Sequence, residues 1–222
     1  LNRISKQLFN EEMMANQLSS TALLKLWFGW VVANTIGGAI GSWLGETVFN
    51  IDPNSVVSFL LLAALISVSI SLCQGIFLTR KVPKVRWWII VSSIASTLCI
   101  ALSPYILILS ALAIGSRGGE SLCFGIFGIF SGFVVGLAQW LFVLRKFPDS
   151  GRWILFSCLG SAIGLTVGNA VAISLTDSIL SFDSPMNGLV SMGAIARLLN
   201  GVITGIPLVQ LLQSQTQHNL SN

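Results

Sequence analysis

Apolar residues fall into six stretches, about 27–48, 56–79, 87–113, 121–144, 153–175 and 188–212, separated by short polar segments. Each is long enough to cross a hydrocarbon layer of about 30 Å at about 1.5 Å per residue, so the pattern predicts six transmembrane helices. Asp52-Pro53-Asn54, Ser116-Arg117-Gly118-Gly119 and Ser181-Phe182-Asp183-Ser184-Pro185 supply the turns on one side. Pro104 and Pro207 are expected to kink the third and sixth helices. The fold class that follows is all-α and integral to a membrane. Residues 1–24 form a separate leader, with Leu1, Ile4 and Leu8 on one helical face and Arg3, Lys6, Glu11 and Glu12 elsewhere. That segment reads either as a short amphipathic helix on the membrane surface or as a partly ordered leader. The six-helix domain occupies 25–213, and the polar tail 214–222 has few apolar residues, which predicts little intrinsic order.

Within each stretch, small residues recur four positions apart. The odd stretches carry Gly37, Gly41, Gly45; Ala95, Cys99, Ser103; and Gly160, Gly164, Gly168. The even stretches carry Ala63, Ser67, Ser71; Gly128, Gly132, Gly136; and Arg197, Gly201, Gly205. Residues at i, i+4 and i+8 form one stripe on a helix, and small side chains let helix backbones approach closely in lipid. Arg197 is the single exception to the small-residue rule.

The stripes belong to a larger repetition. Shifting the chain by 65 residues places Gln74, Arg80, Lys81, Pro83, Trp88, Ser92 and Ser96 on Gln139, Arg145, Lys146, Pro148, Trp153, Ser157 and Ser161. A shift of 123 places Trp30, Gly37, Gly41 and Gly45 on Trp153, Gly160, Gly164 and Gly168, and a shift of 69 places Gly132 and Gly136 on Gly201 and Gly205. The chain therefore reads as three tandem copies of one helical hairpin, about 27–79, 87–144 and 153–212. Because each copy has two spans, all three insert the same way up and can surround a pseudo-threefold axis.

Charge then sets orientation. Only 9% of residues are charged, against about 25% in a soluble domain, and mean hydropathy is +0.83. Arg3, Lys6, Lys25, Arg80, Lys81, Lys84, Arg86, Arg145, Lys146 and Arg152 all fall on one side, while the opposite loops hold Arg117 as their sole basic residue. This asymmetry predicts both termini in the cytoplasm, and it explains the pI near 9.1 better than a nucleic-acid footprint does. Trp30, Trp87, Trp88, Trp140 and Trp153 then lie near the cytoplasmic border and read as interfacial anchors rather than a stacking platform. Residues 1–21 lack the apolar core of a cleavable signal peptide, and a start at Leu1 reads as a processed, trimmed or partial sequence. Cys73, Cys99, Cys123 and Cys158 form no C-x-x-C, which argues against zinc or disulfide frameworks; Cys99 reads as packing.

The phrase Gly136-Leu137-Ala138-Gln139-Trp140-Leu141, with Arg145-Lys146, Arg152-Trp153 and a glycine ladder, resembles small multi-pass membrane proteins of cyanobacteria and other bacteria. Those proteins repeat a G-x-A-Q-W-L-x-L-R-like segment, and the resemblance covers most of 27–212. It implies a membrane, either a bacterial inner membrane or a thylakoid, and a source, but no activity. The first repeat departs from the phrase at Gly75, and the third has Leu208 where glutamine is expected.

Few groups are suited to catalysis. The single histidine, His218, lies in the tail, so Ser-His pairs, H-E-x-x-H motifs and histidine-ligated metals or haem are excluded. No Walker A or strand-linked G-x-G-x-x-G is present, and the P-x-[DE]-x-x-[KR] signature of three-hairpin mitochondrial carriers is missing. The protein reads as no enzyme, with no cofactor or metal. Arg197 counts about 24 Å outward from Gln213, and Glu46 and Asn169 count the same distance from Trp30 and Trp153. A Glu46–Arg197 ion pair with Asn169 nearby is therefore expected, either as a structural clamp, as a polar substrate or ion site, or as a lipid-headgroup contact. Gln74 and Gln139, like Asn34 and Asn200, are expected to bond neighbouring helices. The two glutamines carry the alternative of chlorophyll-magnesium ligation.

Short loops and missing catalytic groups favour a non-enzymatic accessory or scaffold subunit that packs against other membrane subunits and lipid, in a cyanobacterial photosynthetic membrane. The alternatives are a small-solute or ion transporter or channel built around Arg197, and a pigment- or lipid-binding membrane protein. A filled interior with an apolar outer face meeting another protein favours the first; a continuous water-accessible cavity ending at Glu46 and Arg197, open to one side only, favours the second.

Overall fold

A computed structural model describes residues 2–52, 54–79, 81–82, 84–114, 119–147, 149–178 and 186–221, with side chains described within 20–113, 119–174 and 190–214 apart from 53, 80, 83 and 148. Among these residues the structure is all-helical: α1 (Asn2–Phe49), α2 (Val56–Leu78), α3 (Val85–Ile114), α4 (Glu120–Gln139), α5 (Arg152–Ser178) and α6 (Met186–Ser221). Each contains a segment long and apolar enough to cross a membrane: Ser20–Phe49, Val56–Leu78, Val85–Ala113, Glu120–Leu144, Arg152–Ser174 and Val190–Ser214. The side chains of the leader, the turn residues 116–118 and 181–185, Arg80 and His218 lie outside the described residues.

Helix ends follow local chemistry. Ser55 caps α2 by accepting the Val57 N–H at 3.2 Å, and Gly119 precedes α4 with Glu120 in the first turn, where a carboxylate suits the helix dipole. Lys84 and Asp149, aligned by the 65-residue shift, both adopt positive φ (65° and 54°) just before α3 and α5. After Gln139 the helix widens into one π turn, Trp140–Leu144, closed by Arg145 N–H to Trp140 C=O at 2.7 Å. The indole N–H of Trp140 then donates to Ser150 Oγ at 3.0 Å, tying this turn to the next connection.

Two expectations change. α1 is a continuous helix from Asn2 to Phe49, so the leader and the first span share one axis. The tail, expected to lack order, continues α6 as far as Ser221; Gln213, Gln215 and Gln217 are good helix formers, and no proline or glycine follows Pro207. Pro104 and Pro207 both lie inside uninterrupted helices.

The helices form a closed ring. Each packs on its neighbours in sequence, and α6 packs on α1. The small-residue stripes are the seams. A Cβ added to Gly37 or Gly41 would come within 2.8 Å of the α2 backbone at Ile70 or Ile66. Gly128, Gly132 and Gly136 lie against Ala162, Cys158 and Ser157 of α5; Gly160, Gly164 and Gly168 face Asn200, Ala196 and Met192 of α6. Gly201 and Gly205 close the ring against Val31 and Trp27 of α1. The glycine stripes of α1 and α5 thus face the following helix, and those of α4 and α6 face the next hairpin.

Burial is reversed relative to a soluble protein. Ile76 and Leu112 are 73% and 75% exposed on the outside, whereas Asn34 and Ser67 are wholly buried within. An apolar exterior around a hydrogen-bonded polar interior is the arrangement lipid demands.

Candidate functional site

Three tryptophans that the sequence shifts align, Trp30, Trp88 and Trp153, meet inside the ring at its basic end. Their ring centroids are 6.0, 6.1 and 5.4 Å apart in edge-to-face geometry, and each residue is at most 1% exposed. Edge-to-face aromatic pairs contribute about 0.5–1.5 kcal/mol beyond their area. Leu78, Leu144 and Leu208 surround them and complete an apolar plug. This corrects the interfacial-anchor reading for these three residues. Trp87 does lie half-exposed on the outside, stacked on Phe142.

Buried indole N–H groups need acceptors. Trp88 donates to Gln74 Oε1 at 3.1 Å and Trp153 to Gln139 Oε1 at 2.8 Å. The amide nitrogens of these glutamines donate in turn to Asn34 Oδ1 (2.8 Å) and Ser92 Oγ (2.9 Å), positions the sequence shifts also align. Leu208 replaces the third glutamine, so Trp30 donates instead to Thr204 Oγ1 at 3.0 Å, and that hydroxyl donates to Asn200 C=O. Asn200 Nδ2 donates to Ser161 Oγ at 2.8 Å. Gln74 and Gln139 therefore use their amides to connect helices and hold the plug.

Beyond the plug the ring encloses a cavity of about 280 Å³ to which all six helices contribute. Its lining runs from Trp30 and Trp153 at the basic end to Phe59, Ser103, Phe124 and Met192 toward the other. Most of the wall is apolar, studded with serine hydroxyls. Among the described residues Arg197 is the only charged one of that lining. A recess of about 20 Å³ adjoins it, bordered by Ser131, Ser161, Leu165, Ala196, Arg197 and Asn200.

No family model, curated protein or solved structure matches this chain.

The structure separates the three residues of the expected ion-pair site. On the α1–α6 seam Gly205 meets Trp27 and Trp30, Gly201 meets Asn34, Gly193 meets Ser42, and Arg197 meets Gly38. That antiparallel register sets Glu46 eight residues, about 12 Å, beyond the level of Arg197. The earlier count equated Gln213 with Trp30, but Trp30 is level with Thr204. Glu46 is buried with Oε2 unpartnered, outside the cavity wall. Asn169 faces α4, donating to Ser121 Oγ at 3.3 Å.

Among the described residues Arg197 is thus left without a carboxylate, and no hydrogen bond or ion pair among them reaches it. It keeps some accessible surface because it borders the cavity. An unpaired buried ion costs several kcal/mol, so the arrangement favours whatever brings it a negative charge. Sequence reasoning marked Arg197 and the glutamines. It missed Gly38, Ser67 and the three axial tryptophans, although the tryptophans recur at repeat-equivalent positions.

Proposed function

We propose that the protein is a non-enzymatic integral membrane protein that admits a small solute to its central cavity, as a transporter or channel. The observation carrying this reading is a cavity walled by all six helices in which Arg197, the only charged residue of the lining among the described residues, has no hydrogen-bond or ion-pair partner among them. A scaffold subunit has no need of such a space, and a filled interior would have favoured it. The equivalent places taken by Trp88 and Trp153, by Gln74 and Gln139, and by the small-residue seams support an origin by triplication of one hairpin. The basic residues around the plug, Lys81, Lys84, Arg145, Lys146 and Arg152, support placing that end in the cytoplasm.

In this reading the plug closes the cytoplasmic side at rest, and passage requires the three indoles to part. The solute reaches the cavity from the far end, and hydroxyls replace part of its hydration shell. Reconstitution into liposomes with solute-flux assays tests the proposal, alongside isolation in mild detergent. Solute entry that depends on Arg197 supports it. Recovery only as a stoichiometric part of a larger membrane complex, with no flux, returns the accessory-subunit reading.

A further inference from the structure

We propose that the cavity is a binding site for a singly charged organic anion, a carboxylate with an apolar body, held by Arg197. This deepens the solute reading above and rests on it for transport, though not for binding.

Charge selects the sign and the number. Among the described residues the lining holds one guanidinium and no carboxylate, and across the seam Arg197 lies against Gly38, which has no side chain to pair with it. A buried cation with a wholly protein-made counter-charge would leave a ligand nothing to neutralise; this one leaves a full unit. One negative charge completes the pair, whereas two would bury an uncompensated anion. A guanidinium presents parallel N–H donors that match the two oxygens of a carboxylate.

A second unpartnered group lies just beneath the cavity wall. Ser67 is wholly buried, lines the cavity, and its hydroxyl has no hydrogen-bond partner. Gly41 packs at Ile66 and Gly38 at Arg197, so Ser67 and Arg197 flank α1 within about one helical turn in depth. The amides of Gln74 and Gln139 are already engaged in the plug, so they do not compete for the ligand.

Wall and volume select the body. Trp30, Phe59, Phe124, Phe127, Ile100 and Met192 give an apolar surface that hydrated inorganic ions do not favour. Benzene fills a cavity of about 150 Å³, so about 280 Å³ admits roughly a dozen non-hydrogen atoms. A ring- or chain-bearing monocarboxylate fits both limits.

The test uses the purified full-length chain in detergent, reading the fluorescence of the tryptophans that include Trp30 and Trp153. Cyclohexanecarboxylate is expected to give a saturable change at pH 7.5, with its neutral amide, cyclohexylmethylammonium and cyclohexane-1,2-dicarboxylate at least tenfold weaker. Arg197→Gln should abolish the response and Arg197→Lys restore part of it. The comparison among the four probes needs only the unmodified protein, so it stands if a variant does not fold. Equal binding of the amide, or chloride displacing the carboxylate at lower concentration, overturns the inference. Carboxylate binding without flux in liposomes sinks the transport reading alone; flux of a neutral solute unaffected by Arg197→Gln, with no carboxylate binding, leaves transport and removes the anion site.

Discussion

Gly38 lies directly against Arg197: a Cβ at Gly38 would come within 2.6 Å of Arg197 Cγ and 2.8 Å of its Cβ. The sequence shifts align Gly38 with Ser96 and Ser161, and Arg197 with Ala63 and Gly128. One seam of three has exchanged a small residue for arginine and a serine for glycine, so the glycine leaves room for the first carbons of the arginine side chain.

That exchange predicts energetic coupling. Gly38→Ser alone should destabilise the protein by about 1–3 kcal/mol through overpacking. Combined with Arg197→Gly, which restores the α4–α5 pattern at this seam, it should cost clearly less. A double-mutant cycle by unfolding in detergent measures the coupling. Additive effects would show that the two positions do not share space.

The plug predicts a different pairing of effects. Thr204→Val leaves the Trp30 indole N–H unpaired and should cost about 1–3 kcal/mol, as should Trp153→Phe, which strands Gln139 Oε1. Trp153→Phe should also raise solute leak, because Trp153 both walls the cavity and closes it. Melting curves and liposome leak rates read the two consequences separately; an unchanged leak would place the barrier elsewhere.

Gly132 sits on the backbone of α5, its missing Cβ pointing at the Ser157 carbonyl. Gly132→Ala must push the helices apart and should cost about 1–3 kcal/mol or more. Gly151, with nothing near its missing side chain, should accept alanine within about 0.5 kcal/mol. Comparing the two melting temperatures checks this contrast.

Topology is testable directly. Reporter fusions after 222 and within 52–55 should report opposite sides of the membrane, with the C-terminal reporter cytoplasmic. The same compartment for both would refute the orientation read from Lys81, Lys84, Arg145 and Lys146.

The helix spans were legible because twenty-residue apolar stretches have no alternative in water, and the seams were legible because glycine at i, i+4 and i+8 marks one face. Depth was not. Register between α1 and α6 is set by Trp30 reaching Thr204 and Gly38 admitting Arg197, contacts that counting from Gln213 cannot supply. The tryptophans misled for a related reason. Residues beside basic loops satisfy the rule for interfacial anchors, yet Trp30, Trp88 and Trp153 recur on the inward side of related helices, which brings them together. The cavity was illegible because its lining draws on all six helices, whose mutual depth and rotation the sequence does not give.

Ring closure also imposes an order of assembly. The seams from α1–α2 to α5–α6 join helices adjacent in sequence and can form as each enters the bilayer; the α1–α6 seam must wait for α6. Arg197 lies on that last seam, so its charge is enclosed only when synthesis is nearly complete. Until then the arc has two open edges of matching shape, and a hairpin from a second chain could fill the gap. Crowded synthesis should therefore yield exchanged dimers before it yields unfolded aggregates.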